Sequence, residues 1–146
     1  MIVHAGDLVS LDVLESLQAI AKTVAVHGNL DQPNVVRQLP RKEAFSLAER
    51  SMGLIHGHQS PEVQRQYLRP GYDYNSPAME LFYQHLAREL PDSQIIVFGH
   101  LHVPIVKQWG DRLLINPGSV APYKGKRSFG MLELGADTTE VEIIEL

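Results

Sequence analysis

The first third of the chain alternates apolar runs with one stretch of helical periodicity. Ile2 to His4 and Thr23 to His27 are short apolar or β-branched runs of the kind found in buried strands. Ser10 or Asp12 is the expected cap of a helix between them. Strand, helix and strand in this order predict a parallel α/β unit. The helix is identified by apolar positions on one face, namely Val13, Leu14, Leu17, Ile20 and Ala21.

A predicted hairpin and then a long polar segment follow. Ala44 to Leu47 and Met52 to His56 are short apolar strands on either side of a polar turn at residues 49–51, which predicts a hairpin. From Gln59 to Pro77 the chain is polar and carries several prolines, which favours a long surface loop with one helical turn near Val63 to Tyr67. We expect this loop to shape a binding pocket.

The second half of the chain begins with an amphipathic helix and then becomes mostly strand. Apolar residues recur at helical spacing from Met79 to Leu90, and Pro91 ends the helix. No repeat, linker or charge block interrupts the pattern, so we expect a single domain over residues 1–146. The predicted strands of this half are Ile95 to Phe98, Ile105 to Trp109, Leu113 to Asn116, Ser128 to Glu133 and Val141 to Ile144.

The composition favours a folded protein with a small partner. Hydrophobic residues make up 44% of the chain and charged residues 21%, which excludes intrinsic disorder. The formal net charge of -4 argues against binding to nucleic acid or to an anionic membrane. The one local basic cluster, Lys124, Lys126 and Arg127, is interpreted as a solvated hairpin turn rather than a phosphate clamp. No apolar run is long enough for a membrane helix, and a cytoplasmic location is the expectation.

Five predicted strand ends share one feature: an apolar run stops, and a glycine-containing segment with His, Asp or Asn follows. In open α/β sheets the ligand crevice lies outside the carboxyl ends of the strands, so we expect these segments to meet in space. In chain order they are His4-Ala5-Gly6-Asp7, His27-Gly28-Asn29-Leu30-Asp31, His56-Gly57-His58, Gly99-His100-Leu101-His102 and Asn116-Pro117-Gly118-Ser119.

The residue types in these segments agree with one chemistry. The chain has no cysteine, so any metal must be held by His, Asp, Glu, Asn or water. Imidazole, carboxylate and amide oxygen together suit Mn, Fe, Zn or Ni. Each segment alone is more typical of a turn at a strand end. The ordered set of five predicts a metal site.

The same ordered segments resemble the motifs of the calcineurin-like metallophosphoesterase superfamily, and in particular of its small YfcE-type phosphodiesterases. The resemblance covers nearly the whole chain. It implies an α/β fold, an αββα sandwich of two sheets, with a two-metal site between the strand ends.

The resemblance also implies roles for individual residues. Asp7 would bridge two divalent ions, Asn29, His56 and His100 would complete one site, and His102 would belong to the other. Mn is the first expectation for the metal, with Zn, Fe or Ni as alternatives. Two such ions activate a hydroxide for in-line attack on phosphorus, which is phosphoester hydrolysis.

The start of the chain departs from the family pattern. The Asp-x-His motif that ends the family's opening strand does not precede Gly6-Asp7, so the first strand and helix of the fold are expected to be missing. Only Asp7 and His102 are then left for the second ion, and we expect this chain to hydrolyse activated diesters poorly or not at all. We also expect Met1 to be an internal or misassigned start, preceded in the native protein by roughly 25 to 40 residues.

A second departure is Leu30, where many members of the family carry a histidine that protonates the leaving group. Leucine cannot transfer a proton, so water or His58 is expected to do so. Asn29 and His58 are the expected substrate contacts, and a plain hydrogen bond within the loop is the alternative for His58. Asp31 is expected to orient Asn29 or a ligand histidine, or else to form an ordinary turn.

Two functions are consistent with these residues. The first is a metal-dependent phosphodiesterase acting on a small phosphoester. The alternative is a catalytically weak or inactive protein of the same fold that serves as a protein-interaction scaffold, since fold does not fix function. The five retained ligands favour the enzyme, whereas the missing motif favours the scaffold. A missing strand would leave an open sheet edge, so a homo-oligomer is one expected state.

Overall fold

The chain forms nine strands and four helices within residues 1–59, 61–67, 73 and 76–146, the part described by the computed structural model. In chain order the elements are β1 (Ile2–His4), α1 (Leu11–Ile20), β2 (Thr23–Ala25), α2 (Pro33–Gln38), β3 (Lys42–Leu47), β4 (Arg50–Ile55), α3 (Pro61–Tyr67), α4 (Pro77–Glu89), β5 (Ile95–Phe98), β6 (Pro104–Trp109), β7 (Arg112–Pro117), β8 (Ser128–Leu134) and β9 (Thr139–Glu145).

The predicted strand, helix and strand unit is present at the start of the chain. β1 pairs in parallel with β2, with Ile2 beside Thr23, and α1 connects them. Ser10 occupies the N-cap position, but its side chain makes no capping hydrogen bond. Helix α2 was not predicted, because six residues are too few to show helical periodicity; it is recognisable from Pro33 in its first turn and the buried Val35.

A five-stranded sheet in the order β3-β4-β5-β7-β6 forms the centre of the molecule. Its three inner strands are parallel, and the two edge strands are antiparallel to their neighbours. Along β5, Ile96 and Phe98 face one apolar layer, whereas Ile95 and Val97 face the other. Burial on both faces explains why this strand is continuously apolar in the sequence.

Helix α4 covers one face of this sheet, where Phe82 and Leu86 pack on Phe98 and its neighbours. The other face is covered by two separate sheets of two strands each, β1-β2 and β8-β9, which contribute Val3 and Leu132 to one shared apolar layer. Helices α1 and α2 form the outer layer over β2. The α/β fold of αββα type is therefore confirmed, with its second strand layer divided into two sheets.

The helical turn predicted near Val63 to Tyr67 is part of α3. Residues 60, 68–72, 74 and 75 of the predicted surface loop lie outside the described residues, so its role in a pocket stays a prediction. None of the helices in the described ranges has the length and apolarity needed to cross a bilayer.

Candidate metal centre

The loops that follow β1, β2, β4 and β5 meet at one edge of the two strand layers and bring the predicted ligands together. His56 Nε2 lies 3.0 Å from Asn29 Oδ1 and 3.4 Å from Asp7 Oδ2. His100 Nδ1 lies 3.0 Å from the same Asn29 oxygen. These separations are those of donor atoms that share one ion at ordinary ligand distances of about 2.0 to 2.2 Å.

The tautomer of His56 determines which of its ring nitrogens is free to bind a metal ion. The side chain is 2% exposed, and its Nδ1 lies 2.6 Å from the carbonyl oxygen of Ala5, which can only accept a hydrogen bond. Burial lowers the pKa of His56, so the ring is neutral and carries its single proton on Nδ1. In this tautomer Nε2 points its lone pair toward the oxygens of Asn29 and Asp7 and has no proton to donate to them. A divalent cation satisfies all three donors.

Two further atoms are consistent with a ligand at this edge. His58 Nδ1 and His100 Nε2 are buried and have no hydrogen-bond partner in the part of the chain that the structure describes. Buried polar atoms are nearly always paired, so such exceptions mark places where a bound group belongs.

The second ion position is much less complete. Asp7 Oδ2 and His102 Nε2 are 4.0 Å apart. Across the described ranges, no group of three or more His, Asp or Glu side chains is arranged to hold a metal ion by itself, at the first position or at the second. An ion at the first position would need the Asn29 oxygen beside Asp7, His56 and His100, whereas at the second position the described donors are Asp7 and His102.

Asp31 ties together the two loops that carry Asp7 and Asn29. Its Oδ2 accepts hydrogen bonds from the backbone N–H groups of Asp7 (3.0 Å) and Gly28 (2.6 Å), and its Oδ1 accepts one from Val9 (2.6 Å). Asp31 was expected to orient Asn29 or a ligand histidine, or else to form an ordinary turn; its bond to the Gly28 N–H acts on the backbone directly before Asn29. It orients the backbone of both loops, because its short side chain is surrounded by amide groups.

The close approach of these loops requires a residue without a side chain at Gly28. A Cβ added there would lie 2.1 Å from Asp7 Oδ1 and 2.7 Å from the Asp7 backbone nitrogen. The same carboxylate oxygen accepts a 2.8 Å hydrogen bond from the Leu30 N–H. Asp7 is thus fixed from two directions, and its second oxygen is left to face His56.

Three of the predicted ligands have left-handed backbone conformations. The φ angles are 61° for Asp7, 66° for His100 and 57° for His102. Such conformations are uncommon outside glycine and concentrate at functional sites, where the surrounding structure holds them in place.

The Asn-Pro-Gly-Ser segment supports this arrangement without contributing a ligand. Asn116 is fully buried, and its Nδ2 donates to the carbonyl oxygen of Gly99 at 2.8 Å. Its Oδ1 accepts a bond from the Gly118 N–H at 3.0 Å. Asn116 therefore braces the backbone directly before His100.

His58 lies at the centre of a group of imidazoles. Its ring centroid is 5.4 Å from that of His56, 6.4 Å from that of His100 and 6.3 Å from that of His27. Burial, followed by the neighbouring His56 and His27, lowers the pKa of His58. The ring is therefore neutral near pH 7 and has an N–H available for a hydrogen bond.

The buried histidines predict a loss of stability in acid. Burial lowers the pKa of His4, His56 and His100, the last to about 4. The folded-state pKa of each of these histidines lies below the unfolded value of about 6.5. The stability that the neutral rings contribute to the fold is therefore complete above pH 6.5 and is lost as the pH falls toward 4. Thermal unfolding of the metal-free protein should show a falling midpoint below about pH 6.5, and His100→Gln should make the fall shallower. An equal pH dependence of the unfolding midpoint in both proteins would contradict the attribution of the acid effect to His100.

Two contacts of the site were missed in the sequence. One is the carbonyl oxygen of Ala5, which fixes His56; a backbone acceptor gives no signal in residue type. The other is Tyr123, whose ring packs edge-on against His102 with centroids 5.2 Å apart. The signal for Tyr123 in the sequence is its position directly before the basic cluster that begins at Lys124.

Comparisons with known proteins show the family of the chain. The family model described as calcineurin-like phosphoesterase superfamily domain matches residues 1–138. A probable metallophosphoesterase of Methanothermobacter thermautotrophicus is 32% identical over 145 residues, covering 99% of this chain and 74% of that protein. The phosphodiesterase YfcE of Escherichia coli is 30% identical over 130 residues, covering 83% of this chain and 58% of YfcE.

A solved structure shows the same fold. Wild-type Vps29 of Entamoeba histolytica, complexed with zinc, superposes with a TM-score of 0.68 at 22% sequence identity, covering 98% of this chain and 80% of Vps29. The fold is shared, and His, Asp and Asn side chains converge at one edge of it. Together with the sequence match over residues 1–138, this means that the chain belongs to the calcineurin-like phosphoesterase superfamily.

Proposed function

We propose that the protein is a metal-dependent phosphodiesterase whose principal ion is held by Asp7, Asn29, His56 and His100. The observation that carries this proposal is the convergence of His56 Nε2 on the oxygens of Asn29 (3.0 Å) and Asp7 (3.4 Å), while its Nδ1 lies 2.6 Å from the Ala5 carbonyl oxygen. His102 and Asp7 would form the second ion position, and their Nε2 and Oδ2 atoms are 4.0 Å apart.

Divalent ions bound at such a site neutralise phosphate oxygens and lower the pKa of a coordinated water. The chain's own residues hold the reacting groups. Asn29 is exposed, so its amide can reach a substrate arriving from solvent. His58 has the catalytic role of donating its N–H to an ester oxygen and orienting it. Because Leu30 cannot transfer a proton, we assign protonation of the leaving group to water, with the His58 hydrogen bond assisting its departure.

The proposal specifies the cofactor and substrate class. Mn is the first choice of metal, and Zn is the alternative that the zinc complex of Vps29 supports. The substrate is a small phosphoester. A cytoplasmic location, the lack of membrane and nucleic-acid partners, and self-association stay predictions.

Ion binding tests the proposal directly. Calorimetric titration with Mn or Zn should show one tight ion per chain, and the Asp7→Ala, His100→Ala double variant should bind it at least about 100-fold more weakly. A matched control replaces an aspartate and a histidine away from the site, Asp12→Ala with His85→Ala, and should bind as the wild type does. Equal uptake by the wild type and the Asp7 and His100 variant would remove the basis for the metal centre.

A second arm of this experiment separates the enzyme from the scaffold. We expect slow, Mn-dependent hydrolysis of a bis-nitrophenyl phosphate, lost in His56→Ala. Ion binding by the wild type without turnover of any phosphoester tested would favour the scaffold function.

A further inference from the structure

A tight turn of basic and aromatic residues lies beside the second ion position, and the proposed chemistry so far leaves it without a role. The Tyr123 N–H donates to the carbonyl oxygen of Lys126 at 2.9 Å, and the Lys126 N–H donates back to Tyr123 at 3.0 Å. Lys124 and Gly125 between them have φ angles of 51° and 79°. Positive φ angles at both central residues are those of a type I′ hairpin turn.

The turn is attached to the site through Tyr123. The Tyr123 ring stands edge-on to the His102 ring, with an interplanar angle of 85° and centroids 5.2 Å apart. Edge-to-face packing of this kind is a preferred geometry between aromatic rings. His102 therefore has Asp7 on one side and Tyr123 on another, and the Tyr123 contact restricts the orientation of its imidazole.

The two lysines of the turn differ in their surroundings. Lys126 Nζ lies 3.5 Å from Glu145 Oε1, so a carboxylate offsets its charge. Lys124 Nζ lies over the Tyr123 ring, 5.3 Å from its centroid, and within the described residues no carboxylate pairs with it. The Tyr123 ring thus contacts both the Lys124 ammonium and the His102 ring.

A phosphate on the His102 side of the site needs cationic partners. Among the described residues, Asp7 Oδ2 and His102 Nε2 flank this side, 4.0 Å apart. A lysine that reaches the site through Tyr123 supplies a cation that requires no ligands of its own.

We propose that the turn from Tyr123 to Lys126 recognises the anionic oxygen of the phosphoester on the His102 side of the site. Tyr123 positions His102, and Lys124 provides the charge that attracts the phosphate. The inference rests on the phosphodiesterase function proposed above. It gives Lys124 a role that the interpretation of the basic cluster as a solvated turn did not include.

Inorganic phosphate is the probe for the lysine. Titrated into the zinc-loaded protein, it should bind about fivefold more weakly to Lys124→Ala than to the wild type, with a larger difference at low salt. Lys126→Ala removes the same charge from the same turn and should change the affinity less than about twofold, because the Lys126 ammonium lies at Glu145 rather than over the Tyr123 ring. Equal effects of the two substitutions would show a general electrostatic contribution and overturn the role of Lys124.

The positioning role of Tyr123 has a separate readout. In the zinc-loaded protein, the NMR signals of the His102 imidazole should move in Tyr123→Ala, and phosphate should bind more weakly. Tyr123→Phe keeps the ring and should preserve both the signals and the affinity. His102 signals that are unchanged in Tyr123→Ala would overturn the positioning role.

Zinc titration of each protein distinguishes failure of this inference from failure of the proposed function. Lys124→Ala and Tyr123→Phe should bind zinc as the wild type does. A wild type that binds neither Mn nor Zn would overturn both proposals. Normal zinc binding with unchanged phosphate affinity in Lys124→Ala would overturn the turn's role alone.

Discussion

Replacing Gly28 with alanine is expected to abolish ion binding, although Gly28 has no side chain that could act as a ligand. The added Cβ would lie 2.1 Å from Asp7 Oδ1 and 2.7 Å from the Asp7 backbone nitrogen. Atoms do not approach so closely, so the Asp7 carboxylate must leave its place and give up its hydrogen bond from Leu30. We expect the affinity for Mn or Zn to fall about 100-fold or more. The free energy of unfolding should fall by about 1 to 3 kcal/mol.

A second glycine provides the matched control. A Cβ added at Gly130 would lie 3.4 Å from Pro117 Cβ, which is ordinary van der Waals contact. Gly130→Ala should therefore bind the ion as the wild type does in the same calorimetric titration. Wild-type affinity in Gly28→Ala would mean that Asp7 is not a ligand in the position described.

Replacing Asp31 with asparagine is expected to weaken both the fold and the ion site. Asparagine keeps the size of the side chain, but its NH2 group would face backbone N–H groups that now donate to a carboxylate. The amides of Asp7, Gly28 and Val9 compete for one remaining oxygen. Val9 is also a β-branched residue held at a φ of 70°, a conformation it rarely adopts without such support.

Chemical denaturation should show a loss of about 2 to 4 kcal/mol in the free energy of unfolding of Asp31→Asn. Ion affinity should fall with it, because the loops of Asp7 and Asn29 are no longer held together. Asp111→Asn is the control, since that side chain is 96% exposed and lies in the turn between β6 and β7. Wild-type stability in Asp31→Asn would show that the three amides find other acceptors.

The parts of the fold that could be predicted are those encoded locally. The strand Ile95–Phe98 is a continuous apolar run that ends at a glycine, and helix Pro77–Glu89 has a clear apolar face. The candidate ligands follow such strand ends directly, so a rule about the carboxyl ends of parallel strands was enough to bring them to one edge.

The contacts that were missed depend on how distant segments align. The hydrogen bond from His56 to the Ala5 carbonyl joins residues 51 positions apart and belongs to two different strand layers. The amides that Asp31 binds are set by the same alignment, as is the packing of Tyr123 on His102. No periodicity within either segment specifies that register. The division of the second strand layer into two sheets is likewise a property of pairing between segments rather than of any one strand.

The candidate ligands are divided between the two strand layers. Asp7 and Asn29 follow β1 and β2, whereas His56 and His100 follow β4 and β5 of the central sheet. An ion held by all four would connect the two strand layers at the edge of the apolar layer between them. Its binding energy would then be coupled to the packing between them. A substitution that loosens this layer, for example at the fully buried Val26 or Leu54, would weaken ion binding without touching a ligand, and the ion in turn would resist separation of the layers.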